Sequence, residues 1–256
     1  MTAPSVLVHA TADLLAQAAA ARLVTAVVDA QAARGHAHVV LTGGGVGTAT
    51  LAALAASPAR DAVDWEALDL WWGDERFLPS GHPDRNETQA RAALLDKVPV
   101  PAERVHAMPA SDGAFGDDVD QAAHGYADAL AATCAPEDRD GVPAFDVLML
   151  GVGPDAHVAS LFPGHPGVHV EDRTVTAVRD APKPPPTRIS LTWPAIRAAQ
   201  AVWLLAGGAE KAAAVSTALS GADRVTAPAS GATGRRRTVW LLDRAAAADL
   251  PRPSCP

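Results

Sequence analysis

Residues 145–164 read Phe-Asp-Val-Leu-Met-Leu-Gly-Val-Gly-Pro-Asp-Ala-His-Val-Ala-Ser-Leu-Phe-Pro-Gly. The short apolar run Val147–Leu150, ended by Gly151, is typical of a strand covered on both faces. Asp155 and His157 follow in the next loop. Groups that carry chemistry in open α/β sheets lie where strands end, and an imidazole can accept a proton near neutral pH. His157 is therefore a candidate general base.

The same loop has two other interpretations. A histidine in a Gly-rich loop is commonly a surface or structural residue. The pattern Gly-x-Gly-x-x-Ala over residues 151–156 also fits a dinucleotide-binding loop. Pro154 lacks the N–H that a pyrophosphate would need, and Asp155 adds negative charge there, so both weigh against this interpretation. Glu171 and Asp172 fall near the spacing of a ribose-binding acid, which keeps it open.

Apolar runs alternate with alanine-rich helical patterns on either side of the central strand. We predict strands at 6–8, 38–41, 68–72, 146–150, 188–192, 201–206 and 238–242, and helices at 11–35, 50–56, 86–95, 117–134 and 210–219, with a final alanine-rich helix. Residues 73–76 and the proline-rich stretch 181–186 are predicted loops, and 220–237 is polar and turn-rich. The alternation predicts an α/β fold in which helices cover both faces of a mostly parallel sheet, as a single domain over residues 1–256.

Composition narrows the class of protein. The chain has 48% apolar residues, enough for a sizeable core, and a net charge of −8 that argues against a nucleic-acid partner. Two cysteines, Cys134 and Cys255, provide neither a disulfide framework nor the spacing of a metal site. His165 and His169 have the spacing of a metal-binding helix face, but Pro166 and Gly167 between them oppose a helix. We therefore expect no metal. The chain begins without a signal-peptide pattern and has no run long enough to span a membrane, which predicts a cytoplasmic protein.

Three loop ends could hold a small anion. Gly43-Gly44-Gly45 separates a strand from a helix, where backbone N–H groups can approach an anion, although a tight turn without a ligand is an equal alternative. Lys211 lies in a first helical turn, where it needs solvent or an anionic partner. Arg188 opens a strand and offers a forked donor. Together these features predict a phosphorylated or carboxylated small-molecule ligand.

The tetrapeptide Gly73-Asp74-Glu75-Arg76 follows a predicted strand directly. It could be an internal ion pair that braces the loop, or part of the site, because this strand should end at the same sheet edge as the one before His157.

Five motifs in order along the chain resemble the 6-phosphogluconolactonase family, within the broader group that includes glucosamine-6-phosphate deaminase. They are Leu-Thr-Gly-Gly-Gly (41–45), Trp-Gly-Asp-Glu-Arg-Phe-Leu-Pro (72–79) with Asn86 downstream, the loop 151–164, Arg-Ile-Ser-Leu-Thr (188–192) and Gly-Ala-Glu-Lys (208–211). The resemblance covers nearly the whole chain. It implies a three-layer Rossmann-like sandwich that binds a sugar phosphate without a nucleotide.

The activity implied by the resemblance is hydrolysis of 6-phospho-D-glucono-1,5-lactone to 6-phosphogluconate in the oxidative pentose phosphate pathway, with no cofactor. His157 would activate water, Asp155 would orient the imidazole, and Arg76 would stabilise the oxyanion or bind phosphate. The residues expected to bind substrate or its phosphate are Gly43, Gly44, Gly45, Asp74, Arg188 and Lys211. We expect a monomer or a weak homodimer.

Alternatives within this resemblance are a deaminase that uses Asp74 as base and a non-catalytic sensor domain. Deaminases typically carry Asn-Glu-Pro where this chain has Leu-Phe-Pro (161–163), and no helix-turn-helix pattern precedes the fold, so both alternatives are disfavoured. The chain departs from the family at Ala156, where glycine is usual, which predicts a negative φ there. It also has Val-Gly at 46–47 for a common Thr-Pro, so a hydroxyl ligand to phosphate is either lost or supplied by Thr48.

Overall fold

The computed structural model describes residues 3–135, 138 and 140–251. Strands and helices alternate along most of this length. In chain order they are β1 (Ser5–His9), α1 (Ala12–Arg34), β2 (Ala37–Leu41), α2 (Gly44–Ala56), β3 (Leu68–Trp72), β4 (Asp74–Arg76), α3 (Asn86–Ala93), α4 (Val119–Ala132), β5 (Val147–Gly151), β6 (Val175–Val178), β7 (Arg188–Leu191), α5 (Trp193–Ala198), β8 (Ala201–Ala206), α6 (Ala212–Leu219), α7 (Pro228–Gly231) and β9 (Arg237–Asp243). Single 3-10 turns lie at Pro58–Ala62, Trp65–Ala67, Leu95–Lys97, Ala102–Arg104, Pro166–His169 and Ala209–Lys211.

Six strands form a parallel sheet in the order β1-β9-β8-β5-β2-β3. β2 and β5 lie side by side, with Val40 opposite Leu148. From β2 the chain moves outward to β3, whereas from β5 it moves to the other side through β8 and β9. Strand order therefore reverses between β2 and β5, and ligands of open α/β sheets bind at such a reversal, beyond the carboxyl ends of the strands.

Successive residues of a strand point to opposite faces of a sheet, and the central strands bury both. On one face Val39, Leu41 and Leu70 meet apolar residues of α1 and α2, including Leu23 and Leu54. On the other face Trp71 contacts Tyr126 of α4, with 6.0 Å between ring centroids. Helices thus cover both faces, and the predicted three-layer α/β fold is confirmed.

Local signals set the ends of α1 as predicted. Thr11 is the N-cap, and its Oγ1 accepts a hydrogen bond from Leu14 N at 3.2 Å. Gly35 ends the helix with a φ of 78°, a left-handed conformation that glycine adopts without steric penalty.

A second, antiparallel sheet of three strands, in the order β4-β7-β6, is absent from the prediction. Residues 74–76, predicted as loop, form β4, with Asp74 opposite Ser190 and Arg76 opposite Arg188. The prediction failed because a polar tripeptide carries no alternation of its own, and its extended form depends on pairing with β7. The stretch 181–186 connects β6 to β7, as expected of a loop between strands.

Two predictions near the C-terminus need correction. Residues 244–250 form turns and not a helix, because Asp243 binds Ala246 N through its side chain and Pro251 follows too soon for helical turns to accumulate. The segment 220–237 is more ordered than its polarity indicates, since it contains α7 and buries Ala229.

The described cysteine is unpaired, and the helices are not of a transmembrane kind within the described residues. Cys134 is a free thiol, and Cys255 lies outside the described residues. Within the described part of the chain, every helix is too short or too polar to cross a bilayer.

The hydroxyl of Tyr126 joins α4 to the end of β3, since it accepts from Trp72 N at 2.9 Å and lies 3.3 Å from Trp72 O. Tyr126→Phe leaves a buried backbone N–H without this partner, so we expect the free energy of unfolding to fall by about 1–3 kcal/mol in urea denaturation. Thr25→Ala, which removes an exposed hydroxyl on α1, is the control and should change it by less than about 0.5 kcal/mol. A Tyr126→Phe variant with the wild-type midpoint would contradict this role.

Candidate active site

A cleft of about 270 Å³ opens at the carboxyl ends of the central strands. It lies where strand order reverses between β2 and β5. Its lining comprises Thr42, Gly43, Gly44, Asp74, Arg76, Asn86, Gly151, Val152, Gly153, Pro154, His157, Ala159, Lys183, Pro184, Arg188 and Lys211. Four of these side chains are cationic, in a protein whose net charge is −8.

The glycine loop after β2 supplies backbone donors to this cleft. Gly43 is the N-cap of α2, without a side-chain cap, so the first N–H groups of a 13-residue helix face an open end. A Cβ on Gly43 would overlap the Asn86 amide, so the close approach requires glycine. Gly43 and Gly44 line the cleft as predicted, whereas Gly45 does not.

His157 and Asp155 form a hydrogen-bonded pair, with 2.5 Å between His157 Nδ1 and Asp155 Oδ1. The imidazole is partly buried and lies 4.5 Å from the Phe162 ring, measured between centroids. The backbone turns tightly here, because Gly153 N donates to His157 O at 2.9 Å. A Cβ on Gly153 would overlap both His157 and Asp155. Both side chains of the pair therefore pack directly against Gly153.

The Asp155 carboxylate determines which nitrogen of the His157 ring carries the proton. Partial burial raises the pKa of Asp155, but the hydrogen bond from His157 and the charges of His157 and Lys183 outweigh burial and hold it far below its usual range. Asp155 is thus ionised at neutral pH and accepts the proton on Nδ1. The tautomer assigned by this bond leaves Nε2 as the proton acceptor.

Ala156 adopts a φ of 63°, so the expected negative φ is wrong. The left-handed conformation costs a non-glycine residue about 1 kcal/mol. Two backbone hydrogen bonds hold it, from Ala156 N to Gly153 O and from Ala229 N to Ala156 O, both at 2.9 Å.

Asp74 lies in a buried network beneath the cleft. Its Oδ2 accepts from Ser160 Oγ at 2.7 Å, and Asn86 Nδ2 donates to its backbone oxygen at 2.8 Å. Asn86 Oδ1 is buried and has no hydrogen-bond partner within the described structure. This oxygen is enclosed against Gly43, so the amide of Asn86 supports the glycine loop from below.

The acids of the tetrapeptide 73–76 lie near arginines from elsewhere in the chain and not near the Arg76 guanidinium, since Arg188 is 3.9 Å from Asp74 and Arg85 is 3.9 Å from Glu75. Glu75 is fully buried and accepts backbone N–H bonds from Arg76, Asn86 and Glu87 at 2.7–2.9 Å, so it braces the start of α3. Arg76 lines the cleft, and its guanidinium also donates to Asp84 O.

Arg188 is 4% exposed and makes mostly internal hydrogen bonds. It donates to the carbonyl oxygens of Lys183, Pro184 and Pro185 at 2.9–3.3 Å, which fixes the proline-rich loop. Its Nη1 lies 3.9 Å from Asp74 Oδ2.

Lys211 lines the cleft from the turn before α6. Burial lowers the pKa of Lys211, with Glu210 opposing this effect. A Cβ on nearby Gly207 would meet Val46 of α2 at 3.1 Å, so the turn that carries Lys211 lies beside the N-terminus of α2.

The sequence profile of the family described as glucosamine-6-phosphate isomerases/6-phosphogluconolactonase matches residues 10–240. The chain belongs to this family. It is 65% identical to a 6-phosphogluconolactonase of Streptomyces coelicolor over 97% of this chain and 95% of that one. It is 53% identical to a 6-phosphogluconolactonase of Mycobacterium tuberculosis over 93% and 95% of the two chains.

Solved structures of the family share the fold. A 6-phosphogluconolactonase from Trypanosoma brucei superposes with a TM-score of 0.85 at 28% identity, covering 98% of this chain and 100% of that one. A monomeric glucosamine-6-phosphate deaminase superposes with a TM-score of 0.76 at 19% identity, covering 96% and 99%, which is evidence for the shared fold alone.

Of the predicted site residues, the cleft lining includes His157, Arg76, Asp74, Gly43, Gly44, Arg188 and Lys211, and Asp155 touches it through His157. Two residues absent from the predicted set are Lys183 and Thr42. Thr42, and not Thr48, places a hydroxyl at the cleft. Lysine is scarce in this chain, and that scarcity was the available signal for Lys183.

The dinucleotide interpretation loses its ribose-binding acid. Glu171 is exposed and pairs with Arg224 at 2.5 Å, and neither Glu171 nor Asp172 lines the cleft. As for metals, no cluster of three or more His, Cys, Asp or Glu side chains in the described ranges is arranged to hold an ion.

Gly153→Ala should displace the His157–Asp155 pair, because the new methyl group occupies their space. A displacement of about 1 Å can reduce catalysis by roughly 10²-fold, so we expect a fall of that order in kcat, measured on freshly prepared lactone. Gly167→Ala is the control, since a Cβ there would meet its neighbours at ordinary distances of 3.6–3.8 Å. Equal activity of the two variants would contradict the tight fit at Gly153.

Proposed function

We propose that this chain hydrolyses 6-phospho-D-glucono-1,5-lactone to 6-phosphogluconate. The observation that carries the proposal is the His157–Asp155 pair at a cleft lined by Arg76, Lys211 and two further cations. A phosphorylated lactone needs a base that activates water and positive charge that holds a phosphate. Both are present at one sheet edge, in a chain 65% identical to a 6-phosphogluconolactonase.

The reaction begins with attack of water on the lactone carbonyl carbon. His157 Nε2 takes a proton from the water as its oxygen bonds to that carbon. Asp155 stabilises the resulting imidazolium and keeps the ring oriented. Arg76 stabilises the negative charge that develops on the carbonyl oxygen.

The tetrahedral intermediate collapses when the bond between the carbonyl carbon and the ring oxygen breaks. The imidazolium of His157 returns its proton to the departing ring oxygen, which becomes a hydroxyl group. The carboxylic acid product ionises in water. A δ-lactone is an activated ester, so general acid–base catalysis and charge stabilisation suffice for this step.

We assign phosphate binding to the start of α2 and to Lys211. Gly43 and Gly44 at this helix start and Lys211 line the same cleft, and both a helix N-terminus and an ammonium favour an anion. Binding of the phosphate positions the ester for attack.

The direct test follows freshly generated lactone by rapid NMR with catalytic amounts of protein. We expect consumption well above the spontaneous rate and formation of 6-phosphogluconate. Glucosamine 6-phosphate serves as the comparison substrate, with ammonia release as the readout. Ammonia release without lactone consumption would refute the proposal in favour of a deaminase.

His157→Ala should lower kcat by roughly 10²- to 10⁴-fold, the usual contribution of a general base, with a smaller change in KM. The same NMR assay measures this, after subtraction of spontaneous opening. An unchanged denaturation midpoint would show that the variant is folded. Wild-type turnover would remove His157 from the role of base.

Lys211→Met should raise KM for the phosphorylated lactone and leave kcat nearly unchanged, because the lost contact is to the phosphate and not to the reacting carbon. Lys97→Met is a matched control, since the Lys97 ammonium donates to Ala93 O outside the cleft. If Lys211→Met changes kcat alone, Lys211 does not hold the phosphate.

A further inference from the structure

Lys183 contacts the catalytic pair from a distant part of the chain. Its Nζ lies 3.2 Å from Asp155 Oδ1 and 3.5 Å from His157 Nδ1. The same Asp155 oxygen accepts the hydrogen bond from His157. One carboxylate oxygen therefore serves both the imidazole and the ammonium.

The loop that carries Lys183 is held in place by its own backbone. Arg188 donates to the carbonyl oxygen of Lys183 at 2.9 Å and to the two that follow. Ala181 N donates to Pro186 O at 3.0 Å and closes the loop. Arg188 is buried, so solvent does not compete for these bonds. Lys183 thus projects from a fixed base, unlike a lysine on a free surface loop.

Charged groups reach the His157 ring from several elements. Asp155 and Lys183 touch it directly. The Phe162 ring packs against it, and the Arg188 guanidinium lies 5.6 Å from the centroid of that ring. The remaining charged groups that line the cleft are Asp74, Arg76 and Lys211.

An Asp–His pair without a further charge favours the imidazolium, because a carboxylate in contact stabilises the charged form. A protonated imidazole cannot accept a proton from water. A cation within hydrogen-bonding distance of the same carboxylate has the opposite effect on the imidazole. Lys183 is placed to counter the influence of Asp155 without displacing the hydrogen bond that orients the ring.

We propose that Lys183 is a positioning residue whose ammonium shares the Asp155 carboxylate with His157 and keeps the imidazole neutral, with Nε2 free to accept a proton. Its use in lactone hydrolysis rests on the function proposed above. The same charge acts again after the imidazolium forms. Repulsion from Lys183 then favours transfer of the proton to the ring oxygen as the ester bond breaks.

The test measures the titration of His157 in protein without substrate. NMR resonances of the nine histidine rings are recorded against pH, and His157 is assigned from the signal lost in His157→Gln. In Lys183→Met, which keeps the length of the side chain and removes its charge, we expect the His157 titration to move upward by about one pH unit. Lys183→Arg restores a cation and should titrate close to wild type.

Lys97→Met is the control for loss of one positive charge elsewhere and should leave the His157 titration unchanged. The acid limb of kcat/KM on the lactone should move upward in Lys183→Met by the same amount as the NMR titration. Activity near pH 6 then falls more than activity near pH 8.

Identical His157 titrations in wild type and Lys183→Met would overturn the inference. A raised KM with an unmoved acid limb would also overturn it, and would assign Lys183 to substrate binding. Because the NMR titration needs no substrate, a shifted titration in a protein that consumes no lactone would support the charge coupling and refute the proposed function separately.

Discussion

Reversal of strand order between β2 and β5 is the constraint on which the site depends. Adjacent parallel strands whose chains leave in opposite directions cannot both be covered by their following loops, so a crevice remains between them. The glycine loop after β2 and the loop after β5 form its two walls. Side chains that are far apart in sequence converge there because the sheet brings their strand ends to one edge.

Charge in this protein is distributed unevenly between surface and cleft. The acids near the cleft are occupied by internal partners, Asp74 by Ser160 and Asn86, and Glu75 by three backbone N–H groups. Of the four cations that line the cleft, Lys183 lies beside Asp155 and Arg188 beside Asp74, and Arg76 and Lys211 add further positive charge in a protein of net charge −8. Walls of low polarisability strengthen the field of these charges relative to water. These charges favour an anionic ligand at this opening.

Features set by local chemistry could be predicted from the sequence. Thr11 and Gly35 end α1 as expected, and β3 has its predicted bounds, because caps and apolar runs act over a few residues. Pairing and proximity are not local. β4 exists only through its contact with β7. Lys183 meets His157 at a sequence separation of 26 because Arg188 fixes the loop that carries Lys183. Site residues at strand ends could thus be predicted from the sequence. Lys183, which reaches the site on a loop fixed by Arg188, could not.

The hydrogen bond from Ala229 to Ala156 links the catalytic turn to the short helix α7. Ala229 is buried, with buried Ala227 and Ala232 on either side, so packing against the core holds this four-residue helix in place. One of the two bonds that keep Ala156 in its left-handed conformation therefore depends on the packing of a segment far away in the sequence. The shape of the catalytic turn is thus set partly from outside the cleft.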